Sequence, residues 1–242
     1  MDWLPGATRR DGPVAKHGYN SVTEPREKKG VVFHSMEGSL TAALGELDKL
    51  SREASWTFSN PKTGPMLQHY PLGFHTWASG SQAANIMFTS IEHEGVAGEA
   101  LTESQVQNDI ILLGWMGLDW RRPTSDSDMT ATLYEHRECT RFGSSATACP
   151  SGRIPWGKIL AAQEEDMGIE FSSAVNFGNE GPGLPKEAVA LADLLARYRR
   201  DIYAIRAEVA RLKALGGSGP LVAKFPGATV QVPPMDVPVE EA

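Results

Sequence analysis

Cysteine is scarce in this chain: the 242 residues contain two, Cys139 and Cys149. A single pair cannot build a disulfide framework, and the short polar stretch between them leaves pairing or independent roles open, with independent roles favoured. Long apolar runs are also absent. No stretch reaches the roughly 18 apolar residues of a membrane-spanning helix, so no membrane insertion is expected. The first residues, Met1-Asp2-Trp3-Leu4-Pro5-Gly6, lack the basic and apolar regions of a secretory signal. The expectation is a soluble protein made in the cytoplasm of the producing cell, which meets any extracytoplasmic substrate only after release. Basic charge is in deficit, with 23 Lys and Arg against 30 Asp and Glu and a net charge of -7. That balance disfavours general binding to nucleic acid or to anionic membrane.

What is present suffices for a core. The hydrophobic share is 41%, enough for one large domain or for a catalytic domain with an appendage. Residues 1–30 mix proline, glycine and charge without periodicity and read as a surface arm, with Trp3, Leu4 and Val14 as its apolar handles. Val31-Val32-Phe33 predicts a short buried strand closed by His34. Ser39 can cap a helix that lines up Leu40, Ala43, Leu44, Leu47 and Leu50 on one face. Ser55-Trp56-Thr57-Phe58 alternates as a half-buried strand does, Asn60 to Pro65 reads as a turn, and Met66 to Tyr70 returns as a hairpin partner. The stretch Asn85 to Gly95 contains another strand, whose alternation puts Glu92 and Glu94 on one face and His93 on the other. Thr102 and Gln105 form a capping box for a helix through Val106, Ile110, Leu113 and Gly117, ending near Trp120.

Composition changes after Trp156, where residues 158–184 read as an acidic, glycine-rich linker. In 185–215, Leu191, Leu195, Tyr198, Ile202, Ile205, Val209 and Leu212 step by four and three. This is a coiled-coil seam suited to a homo-oligomer, or the face of a lone amphipathic helix. The proline-rich tail, 216–242, is expected to be disordered.

Chemistry concentrates between His136 and Gly152, a stretch rich in glycine and serine that holds two soft metal ligands, His136 and Cys149. A catalytic zinc site takes three protein ligands and leaves one position open, so a single distant partner completes the set. His34, at a strand end, is the candidate. The spacing of His136 and Cys149 is looser than in a zinc finger and selects nothing by itself. A lone His or Cys is more often structural.

Several segments in order resemble the zinc-dependent N-acetylmuramoyl-L-alanine amidases of type 2, the superfamily of phage endolysins and peptidoglycan recognition proteins. They are Val31-Val32-Phe33-His34-Ser35, Ser55-Trp56-Thr57-Phe58, Gln68-His69-Tyr70, Trp77-Ala78-Ser79-Gly80, Asn85 with Ser90-Ile91-Glu92-His93-Glu94-Gly95, and His136-Arg137-Glu138 with Ala148-Cys149-Pro150-Ser151-Gly152. The resemblance implies an α/β catalytic domain over 31–157, a mixed β-sheet flanked by helices with a zinc groove, followed by the C-terminal amphipathic or coiled-coil helix. It implies Zn2+ on His34, His136 and Cys149, and hydrolysis of the amide between the lactyl group of N-acetylmuramate and L-alanine in bacterial peptidoglycan. Many members carry Asp where Cys149 stands. The second catalytic group is a Tyr or a Glu in the family; the Tyr position here is Trp56, whose indole has no useful proton to give, so the role falls to Glu92. Thr147 stands where the family places a Lys or Thr that can donate to an oxyanion. Trp56, Trp77 and Asn85 are assigned to substrate binding, and His93 and Glu94 to supporting or surface positions. A phage-type endolysin is the first expectation; a non-catalytic peptidoglycan-binding protein and a cytosolic amidase recycling muropeptides are the alternatives. Retention of all three ligands argues for turnover.

Overall fold

A computed structural model describes residues 3–18, 27–167, 222–225 and 228–231. In chain order its elements are β1 (Thr8–Arg9), β2 (Gly30–Ser35), α1 (Leu40–Asp48), β3 (Phe58–Asn60), β4 (Leu67–Gln68), α2 (Gln82–Met87), β5 (Phe88–His93), α3 (Glu103–Met116), β6 (Leu133–Glu135), α4 (Trp156–Met167), β7 (Val222–Phe225) and β8 (Ala228–Gln231). Two 3-10 segments, Val14–Lys16 and His136–Phe142, complete them.

The first six strands form one sheet in the order β1-β4-β3-β5-β2-β6. Only β3 and β4 pair antiparallel; the other neighbours are parallel. The expected mixed α/β sheet is therefore present. Strand β2, between β5 and β6, is buried at all six positions, as a parallel strand covered on both faces must be, which is why Val31-Val32-Phe33 is an apolar run rather than an alternation. At its start a Cβ on Gly30 would stand 1.9 Å from the Thr132 carbonyl oxygen, so only glycine allows β6 to approach this closely.

Two layers cover the sheet. On one face Val31, Phe33, Phe58, Ile91 and Leu133 pack against Val106, Ile110 and Leu113 of α3 and Ile159 of α4. On the other, Val32, Phe88 and Tyr134 pack with Ala84 of α2 and Cys139, while Leu47 of α1 joins Trp56 and Tyr70. The caps follow the sequence. Ser39 Oγ accepts from Ala42 N at 3.3 Å, and Thr102 and Gln105 make the reciprocal capping box of α3. Gly117, at φ 66, ends α3 in the left-handed conformation that glycine adopts without strain, before the helix reaches Trp120.

Several expectations are corrected. The strand expected over Ser55 to Phe58 begins only at Phe58, because the Thr57 amide donates to the Ser90 hydroxyl at 3.1 Å instead of to a neighbouring backbone. Asn85 lies in α2, capped by Ser81, and not on a strand. The arm is not purely a surface feature: Thr8–Arg9 adds a strand beside β4 and Leu4 enters the core, although Val14 is exposed. Leu50 falls beyond the end of α1 and is exposed as well. Helix α4 continues past 157 to Met167, and Ile159 is fully buried. Within the tail expected to be disordered, β7 and β8 pair antiparallel. The coiled-coil segment 185–215 lies outside the described residues, and among those described no helix is long and apolar enough to cross a membrane.

Candidate metal centre

His34 sits one residue from the end of β2, and the parallel register sets Glu92 of β5 directly beside it. The third segment follows β6: the chain turns at Glu135 into a 3-10 helix that begins with His136. Glu138 anchors this turn, accepting from the Glu135 amide at 2.6 Å and forming a two-point ion pair with Arg122 at 2.7 and 2.9 Å. The chain then loops out and returns. The Arg137 amide donates to the Cys149 carbonyl at 2.8 Å, so the residue after one ligand holds the backbone of another.

These segments bring one ligand atom each of His34, His136 and Cys149 within 4.8 Å of one another. The two imidazole centroids are 4.6 Å apart, with planes inclined by 49°. The Ser35 amide donates to Cys149 Sγ at 3.3 Å, and Glu92 Oε1 lies 3.8 Å from His34 Nδ1. The cluster is thus assembled from the end of β2, the turn after β6 and the loop that returns at Cys149.

Electrostatics suit a cation. Burial, with smaller contributions from His136 and His93, holds His34 well below the ordinary imidazole value, and burial lowers His136 against a backbone hydrogen bond with Ser79. Both rings are therefore neutral near pH 7 and keep a lone pair for a metal. Burial, then the Glu92 charge, pushes the Cys149 thiol up to about 12. Its thiolate needs a compensating positive charge. Glu92, with a side chain 16% exposed, is raised to about 8 by burial and then by the neighbouring Glu37.

The donor set fits zinc on two further grounds. Two imidazoles and one thiol match the soft-to-borderline preference of that ion, and three protein ligands are the pattern of sites that keep a place for water. His34 Nε2 and Glu92 Oε2 are buried with no hydrogen-bond partner among the described residues. A buried polar atom left unpaired costs about 1–3 kcal/mol, so each of the two favours a bound partner.

The remaining expected site residues are dispersed. Thr147 is exposed, its Oγ1 accepting from the Cys149 amide at 3.2 Å. Trp77 is half-buried and donates through Nε1 to Gly18 O at 2.8 Å. Trp56 is buried in the Leu47 and Tyr70 cluster and donates to Ser59 Oγ at 2.8 Å. Asn85 is buried too; its Oδ1 accepts from the Ser79 amide at 2.9 Å, so it supports the loop that bonds His136. Cys139 is free and fully buried, raised to about 12 by burial, and takes no part in the cluster.

Sequence reasoning did not single out Arg153. This buried guanidinium donates to Ser35 Oγ at 2.8 Å and to the carbonyls of His93, Glu94 and Glu99 at 3.2, 2.8 and 2.9 Å, binding the stretch after Cys149 to the ligand-bearing strand end. The only signal for it in the chain is its place a few residues after Cys149.

With this geometry in hand, the fold can be compared with solved structures. The Staphylococcus aureus hydrolase AmiA superposes with a TM-score of 0.51 at 14% identity, over 72% of this chain and 88% of AmiA. The chain carries the AmiA fold. The Clostridium intestinale endolysin LysCS, an N-acetylmuramoyl-L-alanine amidase, aligns at 16% identity with a TM-score of 0.45 over 68% of this chain and 99% of its own. AmpD aligns at 16% identity with a TM-score of 0.48 over 66% and 96%. No protein-family model and no curated protein matches the chain.

Proposed function

We propose that the chain is a zinc-dependent N-acetylmuramoyl-L-alanine amidase of type 2, hydrolysing the amide between the lactyl group of N-acetylmuramate and L-alanine in peptidoglycan. The observation that carries this reading is the convergence of His34, His136 and Cys149 beside Glu92, in a fold shared with AmiA.

His34, His136 and Cys149 would hold the ion. When bound, zinc supplies a Lewis acid that makes a water a better nucleophile near neutral pH and polarises the scissile carbonyl. Glu92 does the proton work. Its Oε2 has no hydrogen-bond partner among the described residues, so it can accept the proton of the attacking water and return it to the departing alanine nitrogen. Burial keeps its affinity for that proton high, which suits a group that must both take and give near pH 7. Thr147, on the exposed loop before Cys149, is proposed to donate its hydroxyl to the developing oxyanion. Trp77 is proposed as a wall of the groove, an aromatic face for sugar or stem peptide.

The test is digestion of purified cell wall with and without chelator. New L-alanine amino termini, no new reducing sugar and loss of activity on chelation are expected. Reducing sugar would mark a glycosidase and end the assignment; saturable binding without any product would make the protein a wall-binding module. Running soluble muropeptides beside intact wall separates an endolysin, which prefers polymer, from a recycling amidase.

A further inference from the structure

On the face of the sheet opposite Glu92 lies a closed polar network that the proposed chemistry does not touch. His93 follows Glu92 on β5, is fully buried, and turns its ring toward α3. Its Nδ1 is 2.8 Å from the carbonyl oxygen of His34. A carbonyl cannot donate, so Nδ1 carries the hydrogen and donates. Nε2 faces both oxygens of Asp109, at 2.9 and 3.0 Å, and one proton lies between ring and carboxyl whichever partner formally owns it. Asn60 Nδ2 donates to Asp109 Oδ1 at 2.9 Å, and Gln105 Nε2 donates to the carbonyls of Asn60 and Glu94 at 3.0 Å each. Phe33, the neighbour of His34, stacks on the His93 ring at 5.7 Å and 9°.

Such a network is a poor stability device. Removing ionisable groups from water costs several kcal/mol per ion, and apolar replacements of the whole unit are commonly neutral or better. Its geometry serves a different end. The ring is fixed by Asp109 at one edge and Phe33 across its face, and its free edge holds the peptide group from which the His34 side chain departs. We infer that the His93–Asp109 pair is a positioning device for the metal centre, fixing the backbone of His34 so that its imidazole meets His136 and Cys149 at ligating distance. This rests on the metal reading of the cluster above.

The full-length chain tests it through zinc affinity, measured by competition with a chromophoric chelator, and through the cobalt-substituted spectrum, whose thiolate-to-metal band reports the geometry of Cys149 bonding. Asp109→Asn is expected to weaken zinc roughly 10- to 100-fold, the range for losing a group that orients a ligand, and to shift the cobalt spectrum. Leu112→Ala, on the same helix and in the apolar core, serves as the comparison for lost stability and should leave both readouts in place. His93→Gln keeps a donor for the His34 carbonyl but loses the ring's bond to Asp109, so a smaller loss of affinity with a shifted cobalt spectrum is expected; it also stands in if Asp109→Asn does not fold. Wild-type-like affinity and spectrum in Asp109→Asn or, where that variant does not fold, in His93→Gln, or equal losses in Leu112→Ala, would overturn the inference while leaving the metal site intact. A wild-type chain that binds no zinc would instead remove the reading beneath it.

Discussion

Glu92 and His93 are adjacent on β5 and look out on opposite sides of one sheet, yet they are treated in opposite ways. Glu92 keeps one buried oxygen without a partner among the described residues and is pushed up to about 8. His93 has both ring nitrogens engaged, by His34 O and by Asp109. Both sites are polar and both are shielded from water, so burial does not distinguish them. Completion does. A satisfied network holds a shape, whereas unsatisfied atoms mark where something else must arrive.

This contrast can be broken most severely at the ligands. His34→Ala should reduce bound zinc to background and wall hydrolysis with it, as read by metal analysis and amino-terminus release; full zinc occupancy in the variant would move the site elsewhere. Next, Glu92→Gln should lower turnover by about 10²- to 10⁴-fold, the usual worth of a general acid–base group, with zinc content unchanged. Because it removes a desolvated carboxylate, the same substitution should leave the metal-free fold at least as resistant to urea. His93→Ala is its opposite: stripping one partner from a buried pair should cost about 3–5 kcal/mol of folding free energy in the same titration.

A milder comparison involves His69, fully satisfied between Ser59 Oγ at 2.8 Å and Arg10 O at 2.8 Å. Burial holds its value down at about 4 from an ordinary 6.5. The unfolded chain therefore takes up a proton near pH 6.5 that the folded chain refuses until about pH 4. Stability is full above that window and falls as pH drops through it, by about 3 kcal/mol in total. His69→Gln should flatten this slope in urea titrations between the two pH values. The smallest change is Thr102→Ala, which removes the cap of α3 and should cost about 1 kcal/mol with hydrolysis unaltered.

The clustering of His34, His136 and Cys149 was legible in the chain because they lie in short motifs whose order along the sequence is itself informative. Local hydrogen bonding was legible for the same reason, since Ser39 and the Thr102 and Gln105 pair act on residues a turn away. What escaped depends on partners far along the chain. The start of β3 is set by the hydroxyl of Ser90 on another strand, and a two-residue strand such as Thr8–Arg9 is too short to carry a periodicity. The acidic run after Lys158 masked the apolar face of α4, which the buried Ile159 reveals. The bond from the Ser79 amide to Asn85 Oδ1 links two motifs that the sequence alone does not connect. His93 and Asp109 meet only because β5 and α3 are packed together, which no spacing encodes. The heptad segment 185–215 keeps its expectation of self-association, for which light scattering on full-length and truncated chains is the measure.

Because the Arg137 amide grips the Cys149 carbonyl, the excursion between them is a ring closed at its base, with Gly143 and Ser145 to Ala148 exposed at its rim. Residues at that rim can be recoded, shortened or extended while both ends stay anchored next to the ligands. On the proposed reading, the loop is a cassette, where selection or a protein engineer can change which wall chemistry is admitted without redesigning the base that would hold the ion.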